Sequence, residues 1–386
     1  MPLVHAFVDP EDAHKAAIWL CKKGLVPKER VADDERLAVE LWGKKISNPI
    51  GLAAGFDKNA EGVDSLLDFG FGLVEIGSVT PQPQPGNPKP RMFRLPADKA
   101  VINRYGFNSD GHHQVLTNLK TRTRSFLYKN AFTLSLTNPE VDESQKEAYV
   151  VALPRGVSRA LRDGKLLGVN LGKNKISVAE SNEDYVRGAE ELGPFGDYLV
   201  VNISSPNTPG LRALQRREPI ERLLQEVKEA RDKKLPHHPP LLVKIAPDLK
   251  DDEIADIAAV ATSVGVDGVI ISNTTISRPE NLQSGPRITR ETGGLSGPPV
   301  FPLSVEVVRK FYQLTEGKIP IIGCGGVRSG DDAIAFAKAG ASLVQLYTGF
   351  AFEGPGLVGE IKEQIAHRLK EQNLTWKDVI GADHKK

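Results

Sequence analysis

The chain has 386 residues, of which 40% are hydrophobic and 26% charged, a composition typical of a globular protein with a large core. Lys and Arg (50) balance Asp and Glu (49), so we expect no nucleic acid among its partners. Its two cysteines lie far apart, and its histidines show no metal-binding spacing. These patterns exclude a disulfide framework and predict that no metal is bound.

The first 47 residues predict a small unit ahead of the repeating part of the chain. A helix is expected over about 10–23, followed by a break at Gly24–Pro27 and by a hairpin in ERLAVELWGKKI that turns at Gly43. Periodicity alone favours an ordinary packed helix here. The start of the chain has no recognisable targeting segment, and no apolar run reaches the roughly 18 residues that a membrane span needs.

From residue 48 onward, short apolar runs alternate with amphipathic helical stretches. The runs predict eight strands: PIGLAAG (49–55), LVEIGSV (73–79), LLGVNLG (166–172), YLVVNIS (198–204), LLVKIAP (241–247), GVIISNT (268–274), PIIGCGG (320–326) and LVQLYTG (343–349). Helical patterns such as 220–234, 251–265 and 330–340 lie between them. Eight strand–helix units predict a (β/α)₈ TIM barrel, because an open doubly wound sheet would carry G-x-G-x-x-G after its first strand.

Almost ninety residues separate the second and third predicted strands. Residues 101–111 (VINRYGFNSDG) are interpreted as functional, and about 127–160 as a surface insertion. His112 and His113 are expected at a solvated helix start.

The ends of the predicted strands carry amides, hydroxyls and lysines, with little carboxylate. A glycosidase needs paired carboxylates, and a metal-assisted hydrolase needs His and carboxylate ligands, so neither fits. Amides offer a donor and an acceptor together, and lysines suit an anion. We therefore predict a planar, partly anionic ligand such as a pyrimidine or a flavin. The glycines of GCGGV and LYTG follow the seventh and eighth strands, where many barrels bind phosphate.

Two residues in these strands and loops are hard to explain as structural. Lys244 lies in the middle of a predicted buried strand and needs a partner or a function. Ser205 has no Ser-His-Asp pattern or G-x-S-x-G elbow around it, so a hydrolytic nucleophile is not expected. As a proton acceptor it would need help, which Thr208 could give as a relay. A Schiff-base lyase using Lys244, and a flavin-binding module without catalysis, remain alternatives.

Long motifs in the chain resemble dihydroorotate dehydrogenases of the quinone-dependent class. They are AAGFDKN (53–59), EIGSVTPQPQPGNPKPRMFRL (75–95), INRYGFN (102–108), GVNLGKNK (168–175), VVNISSPNTPGLR (200–212), VKIAPD (243–248), SNTT (272–275), GGLSG (293–297), PIIGCGGV (320–327) and LVQLYTG (343–349). The resemblance covers nearly the whole chain, except for about 127–160.

The resemblance implies an FMN enzyme that oxidises dihydroorotate to orotate in pyrimidine synthesis, with ubiquinone as electron acceptor. Ser205 matches the base, which takes a proton from C5 while C6 delivers hydride to flavin N5; Thr208, Phe107 and Lys58 match its catalytic neighbours. The soluble classes carry Cys at the position of Ser205. The implied FMN-binding residues are Ala53, Ala54, Gly55, Ser78, Asn170, Asn202, Lys244, Ser272, Ser296, Gly297, Gly325, Gly326, Tyr347 and Thr348. The implied substrate-binding residues are Lys58, Asn103, Arg104, Tyr105, Gly106, Phe107, Asn202, Ser205, Asn207, Asn273 and Thr274.

The resemblance also implies a division of the chain into two parts. Residues 1–30 would lie on a membrane and form a quinone tunnel with His14, Ala17, Arg94 and Tyr347, and residues 31–386 would form the barrel domain. The expected protein is a monomer at the mitochondrial inner membrane. The family's eukaryotic members carry a targeting segment and a span ahead of this region, so we expect Met1 to mark a shortened chain.

Overall fold

The structure is a computed structural model that describes residues 8–130, 153, 156–208 and 210–385. Its strands are β1 Val39–Leu41, β2 Lys44–Ile46, β3 Ile50–Leu52, β4 Leu73–Val79, β5 Met92–Leu95, β6 Ala100–Asn103, β7 Leu166–Leu171, β8 Tyr198–Asn202, β9 Leu241–Ile245, β10 Gly268–Ile271, β11 Gly294–Ser296, β12 Ile321–Cys324 and β13 Leu343–Leu346. Its helices are α1 Pro10–Lys22, α2 Val63–Asp68, α3 Gly111–Lys129, α4 Glu183–Leu192, α5 Arg217–Lys234, α6 Asp251–Val264, α7 Pro286–Thr289, α8 Phe301–Leu314, α9 Gly330–Ala339, α10 Thr348–Glu353, α11 Gly356–Glu371 and α12 Trp376–Val379.

Eight parallel strands close into a barrel, in the order β3, β4, β7, β8, β9, β10, β12 and β13, with β13 paired to β3. They are the eight predicted strands, so the predicted (β/α)₈ barrel is confirmed. Most of them are buried along their whole length, as expected for a parallel sheet covered by helices. Seven of the eight end one to three residues before the predicted limit, because the chain bends there into polar loops.

The three helices given bounds by the sequence are present within three residues of those bounds: α5 begins at Arg217 instead of 220, and α6 and α9 each end one residue early. Helix α9 shows the pattern: the Ser329 hydroxyl accepts a hydrogen bond from the Asp332 N–H at 3.2 Å, and acidic residues occupy the first turn. The helix ends at Gly340, whose φ of +124° suits a residue without a Cβ. Such capping fixes the length of each helix, and hence the position of each loop at the barrel rim.

The N-terminal end of the barrel is sealed. The β1–β2 hairpin, which turns at Gly43 as predicted, places Trp42 across this end, with its ring 5.7 Å from that of Tyr198. The Trp42 indole N–H donates to the Asp267 carbonyl at 2.8 Å. Lys44 forms an ion pair with the buried Asp197 carboxylate nearby. A ligand of the barrel must therefore enter from the opposite end.

The segment between β4 and β7 covers the C-terminal end of the barrel. Strands β5 and β6 form an antiparallel hairpin, and β11 pairs with β6 to complete a three-stranded sheet. Helix α3 follows and packs against α4. The predicted surface insertion at about 127–160 begins within the last turn of α3, and most of it (131–152 and 154–155) lies outside the described residues.

The expectation for the two histidines is half right. His112 and His113 do lie in the first turn of α3, and His113 is exposed. His112, however, is only 2% exposed, because α3 packs against α4 there. Its Nδ1 lies 2.9 Å from a carboxylate oxygen of Glu191.

Helix α1 lies against the barrel as predicted, over Pro10–Lys22. Asp9 caps it by accepting the backbone N–H of Glu11 at 2.9 Å. On its inner face Cys21 is buried, and the Cys21 carbonyl accepts a hydrogen bond from the Ser65 hydroxyl of α2 at 2.6 Å. Among the described helices, none is long and apolar enough to cross a bilayer.

Candidate active site

A deep cavity opens at the C-terminal end of the barrel, beneath the β5–β6–β11 sheet. Its empty volume, including the open mouth, is about 1240 Å³. Every predicted cofactor- and substrate-binding residue lines it except Asn170 and Arg104. The strand ends therefore converge on one space, which is large enough for a cofactor and a small substrate together.

The cavity also has an apolar lining that the sequence analysis missed. The apolar lining residues are Met92, Val101, Val300, Val327, Leu346 and Ala351. Cys324, Asn108 and Gly349 also line the cavity and were not predicted. Polar residues at the ends of apolar strands stand out in the sequence, whereas apolar residues that line a cavity look like ordinary core residues. Apolar side chains beside polar groups suit the two faces and the polar edge of a heterocyclic ring.

Amides and hydroxyls from neighbouring strands are hydrogen-bonded in a chain along one side of the cavity. The Asn273 amide donates to the Ser204 hydroxyl at 2.9 Å, and this hydroxyl donates to Asn202 Oδ1 at 3.0 Å. The Asn273 side-chain oxygen accepts the Thr274 N–H at 2.8 Å. Each amide is held in one orientation, so the donors and acceptors that face the cavity are fixed before any ligand arrives.

Ser205 lies on the loop after β8, at the cavity wall. Its Oγ accepts a hydrogen bond from the Asn207 N–H at 3.3 Å. Among the described residues, no histidine or carboxylate bonds to it. The Thr208 hydroxyl is buried without a partner in the described structure and does not line the cavity. No hydrogen bond joins Ser205 to Thr208, so the predicted relay is not formed here.

Arg212 anchors the loop that carries Ser205. Its guanidinium donates to the carbonyls of Ser204 at 3.1 Å and Thr274 at 2.9 Å. It also forms an ion pair with Asp248 at 2.9 Å. One side chain thus ties together the loops after β8, β9 and β10, a role that nothing in the sequence indicated. Pro209 of the same loop lies outside the described residues.

Lys58 extends into the substrate side of the cavity. Its ammonium donates to the Asn108 side chain at 2.6 Å and lies 3.7 Å from the centre of the Tyr105 ring, a cation–π contact. Burial lowers the pKa of Lys58 to about 7, and the nearby positive charge of Arg91 adds to the effect. The side chain therefore changes charge in the neutral range, where an incoming anion can hold it protonated.

Lys244 lies inside the barrel on β9 and is only 4% exposed. No hydrogen bond or ion pair joins it to the described residues, although it lines the cavity. A buried ammonium without a partner is costly, and so the site is complete only with an anionic or electron-rich ligand.

Two backbone positions at the cavity adopt left-handed conformations. Phe107 has a φ of +54°, which is unfavourable for an aromatic residue, and the Gln84 amide holds its carbonyl at 2.9 Å. Gly325 has a φ of +135°, and a Cβ there would overlap the Ser304 hydroxyl. The hydrogen bond from Gln84 holds Phe107 in the cavity wall. The lack of a Cβ at Gly325 leaves the backbone after β12 open to a ligand.

Arg104 differs from its sequence neighbours. Its guanidinium donates to Glu291 at 2.6 Å and stacks over the Phe93 ring at 4.5 Å. The side chain thus turns away from the cavity, whereas Asn103 and Tyr105 line it.

Helix α1 meets the cavity at Tyr347. The Tyr347 hydroxyl lies 3.1 Å from His14 Nδ1, and the Phe56 ring lies 5.0 Å from the His14 ring. Burial, together with the positive charge of Lys58, lowers the pKa of His14 to about 4, so the ring is neutral near pH 7. Tyr347 therefore has the cavity on one side and α1 on the other.

The remaining predicted tunnel residues lie near the same helix. Arg94 of β5 donates to the Val8 carbonyl at 2.7 Å, just before α1, and Ala17 is partly buried against the core. A bidentate ion pair between Glu11 of α1 and Arg91, at 2.9 and 3.0 Å, fixes the helix to the loop before β5. All four predicted tunnel residues are thus next to, or part of, the contact between α1 and the barrel.

The chain is similar to known proteins over nearly its whole length. Residues 36–369 match the family model described as dihydroorotate dehydrogenase. A Schizosaccharomyces pombe protein named dihydroorotate dehydrogenase (quinone), mitochondrial, is 50% identical over 383 residues, 99% of this chain and 84% of the relative. The mouse protein of that name is 49% identical, covering 100% and 90%.

A bacterial relative and a solved structure are also similar to this chain over nearly its whole length. The Rhodospirillum rubrum protein named dihydroorotate dehydrogenase (quinone) is 47% identical, covering 98% of this chain and 92% of the relative. A crystal structure from Eimeria tenella, described as DHODH in complex with ferulenol, superposes with a TM-score of 0.86 at 39% identity, covering 98% of this chain and 97% of the other.

Proposed function

The chain belongs to the dihydroorotate dehydrogenase family, and from this premise we propose how its own residues carry the reaction. It is an oxidoreductase acting on a CH–CH bond: it converts (S)-dihydroorotate to orotate in pyrimidine synthesis, with FMN as cofactor and ubiquinone as acceptor. The observation that carries this function is identity near one half to quinone enzymes along the full chain. The Schiff-base lyase alternative has no support among these relatives.

The donor set of the cavity fits FMN. Lys244 is a buried cation that lacks a partner among the described residues, and it suits the electron-rich edge of a flavin. Ser78, Asn202 and Ser272 add hydroxyl and amide groups, and the open backbone around Gly325 suits a phosphate. The chemistry that FMN supplies when bound is acceptance of hydride from C6 of the substrate and delivery of electrons to ubiquinone.

The substrate side of the cavity fits dihydroorotate, a ring with an imide and a carboxylate. Asn103 and Asn207 face each other there, with the Asn207 amide 3.4 Å from Asn103 Oδ1. Asn273 and Thr274 supply further polar groups. We propose that these amides bind the imide edge, and that the Lys58 ammonium binds the carboxylate.

Ser205 is the proposed base that accepts the proton from C5 of dihydroorotate. The only hydrogen bond to its Oγ comes from the Asn207 N–H, so the hydroxyl is not committed to another acceptor in the described structure. Its loop is held by Arg212. Phe107 is proposed to close the site beside the substrate, and Thr208 to pass the proton onward after a rotation that brings its hydroxyl to Ser205. Deprotonation of C5 as C6 gives up hydride leaves the double bond of orotate.

Lys58 makes dihydroorotate and orotate binding depend on pH. Its pKa is about 7 without ligand, so the ammonium is present below that pH and is lost as the pH rises above it. We expect the orotate dissociation constant to be flat below about pH 7 and to rise about tenfold per pH unit above it. Spectral titration of the bound flavin with orotate measures this constant.

The matched control is Lys58→Arg, which keeps a positive charge at all relevant pH values. Its binding curve should lack the inflection, whatever its absolute affinity. A wild-type dissociation constant that stays level between about pH 6 and pH 9 would refute the role of Lys58.

We propose that ubiquinone reaches the cavity between α1 and the barrel, in the tunnel predicted from residues 1–30. The supporting observation is the His14–Tyr347 contact, because Tyr347 also lines the cofactor cavity. The neutral His14 and the neighbouring Phe56 give this passage little charge, which suits an apolar quinone. Arg94, near the start of α1, is the proposed polar contact for the quinone head group.

Helix α1 is also the proposed membrane contact, in keeping with the division at residue 30. Trp19 is 53% exposed, Leu20 40% and Leu25 63%, and Lys15 and Lys23 lie exposed beside them. An exposed apolar strip flanked by lysines suits the interface of an anionic membrane. The yeast and mouse relatives are named mitochondrial, and this chain is assigned to the mitochondrion with them. Contact with the inner membrane, as a monomer, is our proposal; a dimer mass in light scattering would contradict the monomer.

Sedimentation with vesicles that contain anionic lipid tests the membrane contact. The paired substitution Trp19→Gln and Leu20→Gln should lower the bound fraction severalfold, because it removes most of the exposed apolar strip. Ile176→Gln removes an exposed apolar residue from the loop after β7 and should leave binding unchanged. Equal binding of both variants and the wild type would overturn the proposal.

A further inference from the structure

Glu75 is a carboxylate in the interior of the barrel that the reaction described above does not use. It lies in the middle of β4 and has 0% exposure. Three donors reach it: Asn170 Nδ2 at 2.8 Å, Gln345 Nε2 at 2.7 Å and the Tyr198 hydroxyl at 3.2 Å. None of the three carries a positive charge, and no ion pair to Glu75 occurs among the described residues. A carboxyl group buried without a cationic partner is costly, so a function is expected for it.

The orientation of Gln345 shows that Glu75 only accepts hydrogen bonds. Gln345 turns its NH₂ group toward the carboxylate, although its own Oε1 is then buried without a partner in the described structure. The opposite orientation would set two acceptors against each other. Both oxygens of Glu75 thus act as acceptors, which dictates the orientation of any amide beside them.

Asn170 is the amide through which this constraint reaches the cavity. Because its NH₂ group faces Glu75, its Oδ1 faces the other way and accepts from the Ser78 hydroxyl and from Asn202 Nδ2, the latter at 3.2 Å. Asn202 Nδ2 also donates to the Ser78 oxygen at 2.9 Å. The Ser78 hydroxyl therefore donates its proton to Asn170, away from the cavity. The remaining lone pair on the Ser78 oxygen can accept a hydrogen bond from a ligand in the cavity.

We propose that Glu75 is a positioning residue that sets the donor and acceptor direction of Ser78 and Asn202 in the FMN and substrate site. It acts through Asn170, which explains why Asn170 is close to the site without lining it. The proposal rests on the proposed function, because it assigns the ligands of that cavity. A neutral residue in place of Glu75 would let Asn170 turn over, and Ser78 would then present its proton to the ligand instead of its lone pair.

The test is Glu75→Gln in the flavin-loaded enzyme, since glutamine keeps the size and can donate. We expect FMN and orotate dissociation constants to rise by about tenfold or more, the effect of leaving one buried polar group of the site unsatisfied. FMN release and orotate titration measure these constants without turnover.

Tyr198→Phe is the matched control, because it removes one donor to Glu75 and leaves the link to Asn170. Its two dissociation constants should stay within about twofold of the wild type. If it weakens both as much as Glu75→Gln does, or if Glu75→Gln matches the wild type, the positioning role is wrong. Should Glu75→Gln fail to fold, Asn170→Leu cuts the same link and must show the same losses. A wild-type protein that binds no flavin would instead overturn the proposed function.

Discussion

The Ser205→Ala variant is expected to retain FMN and bind orotate, yet to be reduced by dihydroorotate roughly 10²- to 10⁴-fold more slowly near neutral pH, the usual contribution of one general base. The reason is local. Ser205 places on the cavity wall a hydroxyl whose proton has no acceptor in the described structure, and no histidine or carboxylate among the described residues bonds to it. Anaerobic stopped-flow mixing measures the loss of flavin absorbance directly.

Ser205→Cys is the informative companion to this variant. It keeps a proton acceptor in place, with an ordinary thiol pKa of about 8.5. Its reduction rate should lie between those of Ser205→Ala and the wild type, and should climb as the pH approaches that of thiol ionisation. If Ser205→Ala is reduced at the wild-type rate, Ser205 is not the base and the loop after β8 has another function.

The second large effect is expected from Ala17→Trp, which places a bulky side chain where α1 faces the barrel. Ala17 is partly buried against the core, one helical turn after His14, which contacts Tyr347. The indole would obstruct the proposed passage between α1 and the barrel, and a loss of quinone binding of about 1.4 kcal/mol would slow reoxidation of the flavin by a ubiquinone analogue about tenfold. Reduction by dihydroorotate should be nearly unchanged, because the substrate side of the cavity is not touched.

Ala16→Trp is the matched control for that substitution. Ala16 is the preceding residue on the same helix and is exposed, so both half-reactions should keep their wild-type rates. Point substitution is preferable to removal of α1, since losing Glu11 would leave the nearly buried Arg91 without its carboxylate. Slowing of both half-reactions together in Ala17→Trp, or of neither, would refute the tunnel.

The barrel was predictable because its strands are nearly continuous apolar runs with polar ends, and its helices carry their own start and stop signals. The residue composition of the site was predictable for the same reason: Lys58, Asn202 and Lys244 lie within or shortly after buried strands. Choosing Ser205 as base was not possible from spacing alone, since a lone hydroxyl in a turn-forming loop has no distinguishing pattern. The family resemblance supplied that choice.

What the sequence could not reveal is the direction in which side chains turn within the loops and the barrel. Arg104 and Tyr105 are neighbours, yet an ion pair with Glu291 draws Arg104 out of the cavity. Glu75 is surrounded by apolar residues in its strand and gives no sign that it meets Asn170, 95 positions along the chain. His112 is buried only because α3 happens to pack against α4. Each of these depends on tertiary contacts between distant segments.

The cavity at the C-terminal end of the barrel is proposed to hold FMN, which dihydroorotate reduces there. The visible spectrum of the purified protein, before and after anaerobic addition of dihydroorotate, is the most direct test of this function. We predict the yellow absorbance of oxidised flavin, bleached by dihydroorotate and restored by a ubiquinone analogue. A protein that carries no flavin after careful purification, or a flavin spectrum that dihydroorotate leaves unchanged, would contradict this function.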